Sequence, residues 1–169
     1  MPFDPNSKSF TVTAQGGLLA VLQTTCHVSQ AFDPAAGSAS PVIVPFAAIW
    51  DTGATASAIT QNVVDQCGLA PIGMTKVQTA DGEVDAELYL VNIGLPNQVG
   101  FMHLQVTKAR LGAHADVLIG MDIISQGDFT VTNKGGVTVF SYRYPSAVHI
   151  DFVKEHNEAA LRDRIAKIR

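Results

Sequence analysis

Residues 46–60 read FAAIWDTGATASAIT, and this stretch decides how the chain is understood. Apolar residues ending in Trp50 run directly into Asp51, Thr52 and Gly53. A carboxylate taken out of water without partners is costly, so a strand that delivers one to its end needs a chemical reason. The apolar run begins at Val42, and its continuity predicts a strand buried on both faces.

Three chemistries place an aspartate directly after a buried strand with glycine and a hydroxyl residue close behind. Asp51, Gly53 and Thr55 fit the D-x-G-x-T phosphate loop of actin and the sugar kinases by letters, but that fold needs a second phosphate loop and a chain about twice this size. The D-x-D-x-T aspartyl-phosphate pattern needs a carboxylate where Gly53 stands. The third is the aspartic peptidase motif, D-T/S-G with an apolar lead-in, and it fits residue by residue. Asp51 is held on a strand, Thr52 can lock the loop with its hydroxyl, and Gly53 lets backbone approach a carboxylate where a Cβ would obstruct.

A second segment supports this reading. Residues 115–124, ADVLIGMDII, form an apolar run that ends in Gly120 and leads into a helical turn. With DTGAT and DVLIGMD in this order, and a hairpin between them, the chain resembles the retropepsins, the retroviral-type aspartic proteases and their bacterial relatives. The resemblance spans roughly residues 9–133. It implies a mainly β fold, a single-lobe closed β-barrel of the acid-protease type with a short internal helix. It also implies a flap whose tip is formed by Thr79, Ala80, Asp81 and Gly82.

Peptide hydrolysis by this chemistry needs two facing carboxylates that share one proton. The sequence holds one DTG, and none of Asp65, Asp81, Asp122, Asp151 or Asp163 follows an apolar strand and precedes Thr-Gly or Ser-Gly. The second carboxylate is therefore expected from another copy, in a two-fold homodimer. The resemblance and the chemistry together give Asp51 the acid–base role, Thr52 a hydrogen bond across the axis, and Gly53 a carbonyl offered to a peptide substrate. Ala54 and Thr55 would flank that peptide. The viral members pair a carboxylate soon after the DTG with an arginine beside the second-signature glycine; here those places hold Thr55 and Met121. The alternative function is a catalytically inactive dimerisation or peptide-binding module on the same fold.

The bulk composition is compatible with this. The chain has 169 residues, 47% hydrophobic and 15% charged, which suits one globular domain rather than a disordered chain. A net charge of −4 gives no basic footprint for nucleic acid. No apolar stretch reaches the roughly 18–20 residues of a membrane span, and the N-terminal residues lack the pattern of a signal peptide. A cytoplasmic protein is expected. Cys26 and Cys67 read as buried thiols, with a single disulfide left open. His27, His103, His114, His149 and His156 show no ligand spacing, so neither metal nor cofactor is expected.

Residues 1–8 read as a loose tail, 9–145 as the protease-like domain and 146–169 as a C-terminal amphipathic helix. Within the domain, Gln15-Gly16-Gly17 predicts a hairpin between strands at 9–13 and 18–28. A helix is expected from Thr60, as N-cap, to a stop at Gly68. Asp81-Gly82 predicts a two-residue hairpin, and Asn133 to Gly136 turns a last one. In the tail, Ile150, Val153, Leu161, Ile165 and Ile168 recur at helical spacing, which predicts a helix packed on its own domain or on a dimer mate.

Overall fold

A computed structural model describes residues 6–33, 35, 41–79, 82–112 and 114–167. The chain is mainly β. In order it forms β1 (Lys8–Thr13), β2 (Gln23–Gln30), β3 (Val44–Trp50), β4 (Ala58–Ile59), α1 (Gln61–Cys67), β5 (Gly73–Thr79) and β6 (Gly82–Gly94). It continues with β7 (Gly100–Lys108), β8 (Val117–Ile119), α2 (Met121–Ile124), β9 (Asp128–Thr132), β10 (Val139–Tyr144) and α3 (Phe152–Ala166).

Seven strands lie in the order β2-β3-β8-β4-β7-β6-β5. β2 also pairs with β6, His27 opposite Gly94 and Gln30 opposite Val91. That extra pairing closes a barrel and leaves β5 as an outer arm. Two parallel pairings decide the geometry near the DTG: β3 runs parallel to β8, with Trp50 opposite Ile119, and β4 runs parallel to β7. The barrel core is filled by Cys26, Val28, Ile59, Val91, Val106, Val117 and Ile119, all 0% exposed. A second sheet, β1-β10-β9, packs its aromatic face onto Trp50.

Several expectations need correction. β1 and β2 do not form a hairpin, because β1 pairs with β10 and β2 with β3 and β6. The segment after β1 wraps Thr138 instead. Ala14 donates to the Thr138 carbonyl, Thr138 N–H donates to Gly17, and Leu19 N–H donates to the Thr138 hydroxyl. β3 is not buried on both faces: Phe46, Ala48 and Trp50 point inward while Pro45 and Ala47 are exposed. Thr60 does not cap α1 with its side chain; its hydroxyl donates to Asp116 at 2.7 Å, tying α1 to the approach to β8. Gly68 does end the helix, in the left-handed region at φ 61°.

The β5–β6 hairpin forms, but Thr79 pairs with Gly82, so its connection is residues 80–81 rather than 81–82. Ala80 and Asp81 lie outside the described residues. α3 does not pack on the domain: every side chain described in it is exposed. Cys26 and Cys67 are free thiols, and burial first, then Asp116 and Cys67, pushes the Cys26 thiol up to about 12.

The smaller sheet is fastened through Asp128. Arg143 donates twice to its Oδ2, at 3.0 and 2.5 Å, Ala147 N–H donates to Oδ2 at 3.0 Å, and the Ser146 hydroxyl donates to Oδ1 at 2.6 Å. Burial alone would raise this carboxyl, but the hydrogen bonds from Ser146, Ala147 and Arg143 outweigh it. They hold it at about 2, against an ordinary 3.8. A folded value below the unfolded one gives stability that is present above about pH 4 and lost as the pH falls toward 2. Urea unfolding of Asp128→Asn is expected to show a loss of about 2 kcal/mol at pH 7. The gap to the unsubstituted chain should narrow in the same titration below pH 4.

Candidate active site

Asp51 sits where β3 and β8 part. Its N–H donates to the Ile119 carbonyl at 3.0 Å, the last link between the two parallel strands. The chain then turns sharply: Gly53 N–H donates to Asp51 Oδ1 at 2.8 Å and Ala54 N–H to the Asp51 carbonyl at 3.3 Å. Asp51 is half-buried, and Thr52 and Gly53 are exposed. A Cβ on Gly53 would come within 3.1 Å of Asp51 Oδ1, so glycine here makes room for the carboxylate of its own loop. Oδ2 has no partner among the described residues.

The floor under this turn is rigid. Trp50 is 6% exposed, and its indole N–H donates to the Thr24 hydroxyl at 2.9 Å. Its ring stacks on Phe129 at 5.5 Å and 5°, and leans on Tyr142 at 5.2 Å. Burial raises the Tyr142 phenol well above its ordinary value, and its O–H donates to the Ile123 carbonyl at 2.9 Å. The aromatic cluster therefore joins the strand before Asp51 to the helix after Gly120.

The far end of the loop is locked to α2. Met121 N–H donates to the Ala54 carbonyl at 2.8 Å and Asp122 N–H to Thr55 at 3.2 Å. Ser57, fully buried, donates its N–H and its hydroxyl to the two oxygens of Asp122 at 2.9 and 2.7 Å. The same hydroxyl accepts Gly120 N–H at 3.1 Å. The backbones press together so closely that a Cβ on Gly120 would lie 2.6 Å from the Ala56 carbonyl carbon.

This loop borders a groove of about 540 Å³, lined by Gly53, Ala54 and Thr55 on one side and by Thr75, Val77 and Gln78 of β5 on the other. Leu88, Thr107 and Leu118 form its base. One carboxylate on a fixed turn, whose following residues Gly53, Ala54 and Thr55 line a groove, can serve as one half of an acid–base pair for an extended chain.

Comparison with known proteins places this geometry. Residues 43–126 match the family model described as "gag-polyprotein putative aspartyl protease". The crystal structure of a retropepsin-like aspartic protease from Rickettsia conorii superposes with a TM-score of 0.50 at 14% identity, covering 85% of this chain and 98% of that one. The chain belongs to the retropepsin-like aspartic proteases. EIAV protease complexed with the inhibitor HBY-793 is also similar, at 16% identity and a TM-score of 0.46, over 66% of this chain and 92% of that one. No curated protein matches the sequence significantly.

In this retropepsin-like chain Asp51, Thr52, Gly53, Ala54 and Thr55 come together on one turn. β5 faces Gly53, Ala54 and Thr55 across the groove. Thr79 and Gly82 end the hairpin strands; Ala80 and Asp81 are not among the described residues. Thr55 and Met121 form no ion pair. Their backbones join instead through α2, Thr55 accepting from Asp122 N–H and Met121 donating to Ala54. Asp122, which lies outside any second Asp-Thr-Gly motif, has Ser57 as its partner. The signal was present in Ser57, a hydroxyl between apolar neighbours in the first motif, and in the acid of the second.

Removing the Asp122 carboxylate leaves a buried Ser57 N–H and hydroxyl without acceptors, at about 1–3 kcal/mol for each unsatisfied group. Asp122→Ala is therefore expected to lose about 3 kcal/mol in urea unfolding, and Asp122→Asn, which keeps one acceptor oxygen, about 1 kcal/mol. Equal stability of the two variants would show that the clamp is not what holds the loop.

Proposed function

We propose that the chain is a homodimeric aspartic endopeptidase in which Asp51 of two copies forms the catalytic pair. One observation carries this reading: each chain has a single Asp-Thr-Gly turn, held from both sides, whose carboxylate has one oxygen without a donor among the described residues and whose next residues line a groove. Two such carboxylates brought face to face cannot both ionise, so the pair holds one proton between them. The ionised member takes a proton from a water as it attacks the scissile carbonyl, and the protonated member donates to the carbonyl oxygen. The titration belongs to the pair rather than to either residue.

The other groups have positioning tasks. Thr52, exposed beside Asp51, reaches across to the partner's loop and fixes the separation of the acids. The Gly53 carbonyl accepts from the substrate backbone. The β5–β6 arm closes as a flap, Thr79 to Gly82 at its tip, and excludes water from the groove. An extended peptide binds there by main-chain hydrogen bonds, its alternate side chains entering the groove walls. Among the described residues no helix is long and apolar enough to cross a membrane. The reading keeps the expected cytoplasmic location, and a net charge of −4 gives nucleic acid no basic footprint.

Mass spectrometry of a peptide library incubated with purified dimer tests the reading. Cleavage is expected from the unsubstituted chain and none from Asp51→Asn, which should sediment as the same dimer. A dimer that binds peptides but never cuts them would instead mark a binding module.

The residue after the motif sets the pH range. Ala54 offers no hydroxyl to the Asp51 carboxylate, so the ionised form lacks one stabilising donor. Ala54→Ser would add one and lower the pair's titration. The acid limb of the pH–rate profile should move down by roughly one unit. An unmoved limb would show that Ala54 has no part in setting it.

A further inference from the structure

The groove beside the Asp-Thr-Gly turn has an uneven lining. Ala54, Ala56 and Ala58 contribute only methyl groups, and Leu88 and Leu118 give it an aliphatic base. Set among them are two hydrogen-bonding side chains, Gln105 and Thr107. They stand two residues apart on β7 and so project from one face of the sheet, while Val106 between them is 0% exposed in the barrel core. Thr107 has Ala58 of β4 on one side and Leu88 of β6 on the other, and Gln105 lies opposite Leu90. Neither the Gln105 carboxamide nor the Thr107 hydroxyl has a hydrogen-bond partner among the described residues.

Solvent satisfies such groups while a groove is open. A peptide laid along it displaces that solvent, and the displacement is neutral only where the incoming group reproduces the lost hydrogen bonds. An aliphatic side chain would leave both groups unpaired. A carboxamide and a hydroxyl can each donate and accept, so they match a side chain that does both. Charge has no counterpart here. Lys76, the charged residue of the lining, is already held by Glu83 at 2.5 Å. A carboxylate or an ammonium group would leave water without a free opposite charge to meet it.

We propose that this groove selects a carboxamide side chain of the peptide, Gln or Asn, and that Gln105 and Thr107 read it. The inference rests on the reading of the groove as the peptide site and names the substrate class. A two-fold dimer presents the groove twice, once on each side of the axis through the Asp51 pair. The preference therefore recurs at two substrate positions equally far from the cut bond.

The test uses the full chain carrying Asp51→Asn, immobilised and exposed to a random octapeptide library read by mass spectrometry. Retained peptides should hold Gln or Asn at least about tenfold more often than Leu or Met, relative to the input. Gln105→Leu/Thr107→Val should reverse this and favour Leu and Met, a gain that a misfolded chain could not show. Thr107→Ser, which keeps the hydroxyl, should keep the amide preference. Cleavage of the same library by the unsubstituted chain should place the amides at two positions symmetric about the cut. An amide preference that survives in the double variant, enrichment of charged or aliphatic side chains by the Asp51→Asn chain, or retention of no peptide would each overturn the proposal. The two readings fail separately. Selective retention without cleavage by the unsubstituted chain removes the protease and leaves the amide site, whereas cleavage indifferent to Gln and Asn does the reverse.

Discussion

The crossing of β3 with β8 is the constraint on which the rest depends. Two parallel strands part at one point, and there Asp51 N–H meets the Ile119 carbonyl. Immediately afterward the two segments touch again, Gly120 pressed against Ala56 with no space for a Cβ. Neither motif could hold its shape alone. The DTG turn has two hydrogen bonds of its own, from Gly53 and Ala54, and the remainder of its order is borrowed from α2 through Met121, Asp122 and the buried Ser57. The Asp51 carboxylate is placed by this mutual support, which also explains why the residues around it are small: Ala54, Ala56 and Gly120 leave room for backbone against backbone.

Much of this was legible in the sequence, and the boundary of what was legible follows the range of the interactions. Asp51 at a strand end, Gly120 closing an apolar run, Gly68 ending a helix and the hairpin across β9 and β10 are local statements, and local chemistry determines them. The failures are long-range. Gln15-Gly16-Gly17 has hairpin composition, but Thr138, more than a hundred residues away, takes the hydrogen bonds of that segment and sends β1 to β10. The apolar run through Trp50 read as buried on both faces because small and apolar residues, Pro45 and Ala47, occupy its open side. Thr60 had the composition of a cap, yet its hydroxyl turns to donate to Asp116 and accepts no N–H of α1. The Ser57–Asp122 pair joins positions 65 residues apart, and no local pattern could announce it.

Barrel closure limits how two copies can meet. With β2 paired to both β3 and β6, the ring of strands closes among the described residues, and neither β2 nor β6 is left as a terminal edge on which another chain could extend a sheet. The edges that remain belong to β5, which forms the arm over the groove, and to β1 and β9 of the small sheet. The proposed two-fold contact centred on Asp51 would therefore draw on loops and the small sheet. The aromatic cluster gives that sheet a second task. By stacking Phe129 and leaning Tyr142 on Trp50, it transmits the position of the outer strands to the residue next to the acid.

The state of the aspartate itself shows why a strand carries it this far. A carboxylate with both oxygens saturated by donors is held strongly ionised and makes a poor partner for a shared proton. Asp128 demonstrates that condition in the same chain: donors on both oxygens hold it at about 2. Asp51 is built differently. One oxygen is fixed by Gly53 N–H, which orients the group, and the other meets no donor among the described residues. In the proposed dimer that second oxygen is the one placed to share a proton with its image.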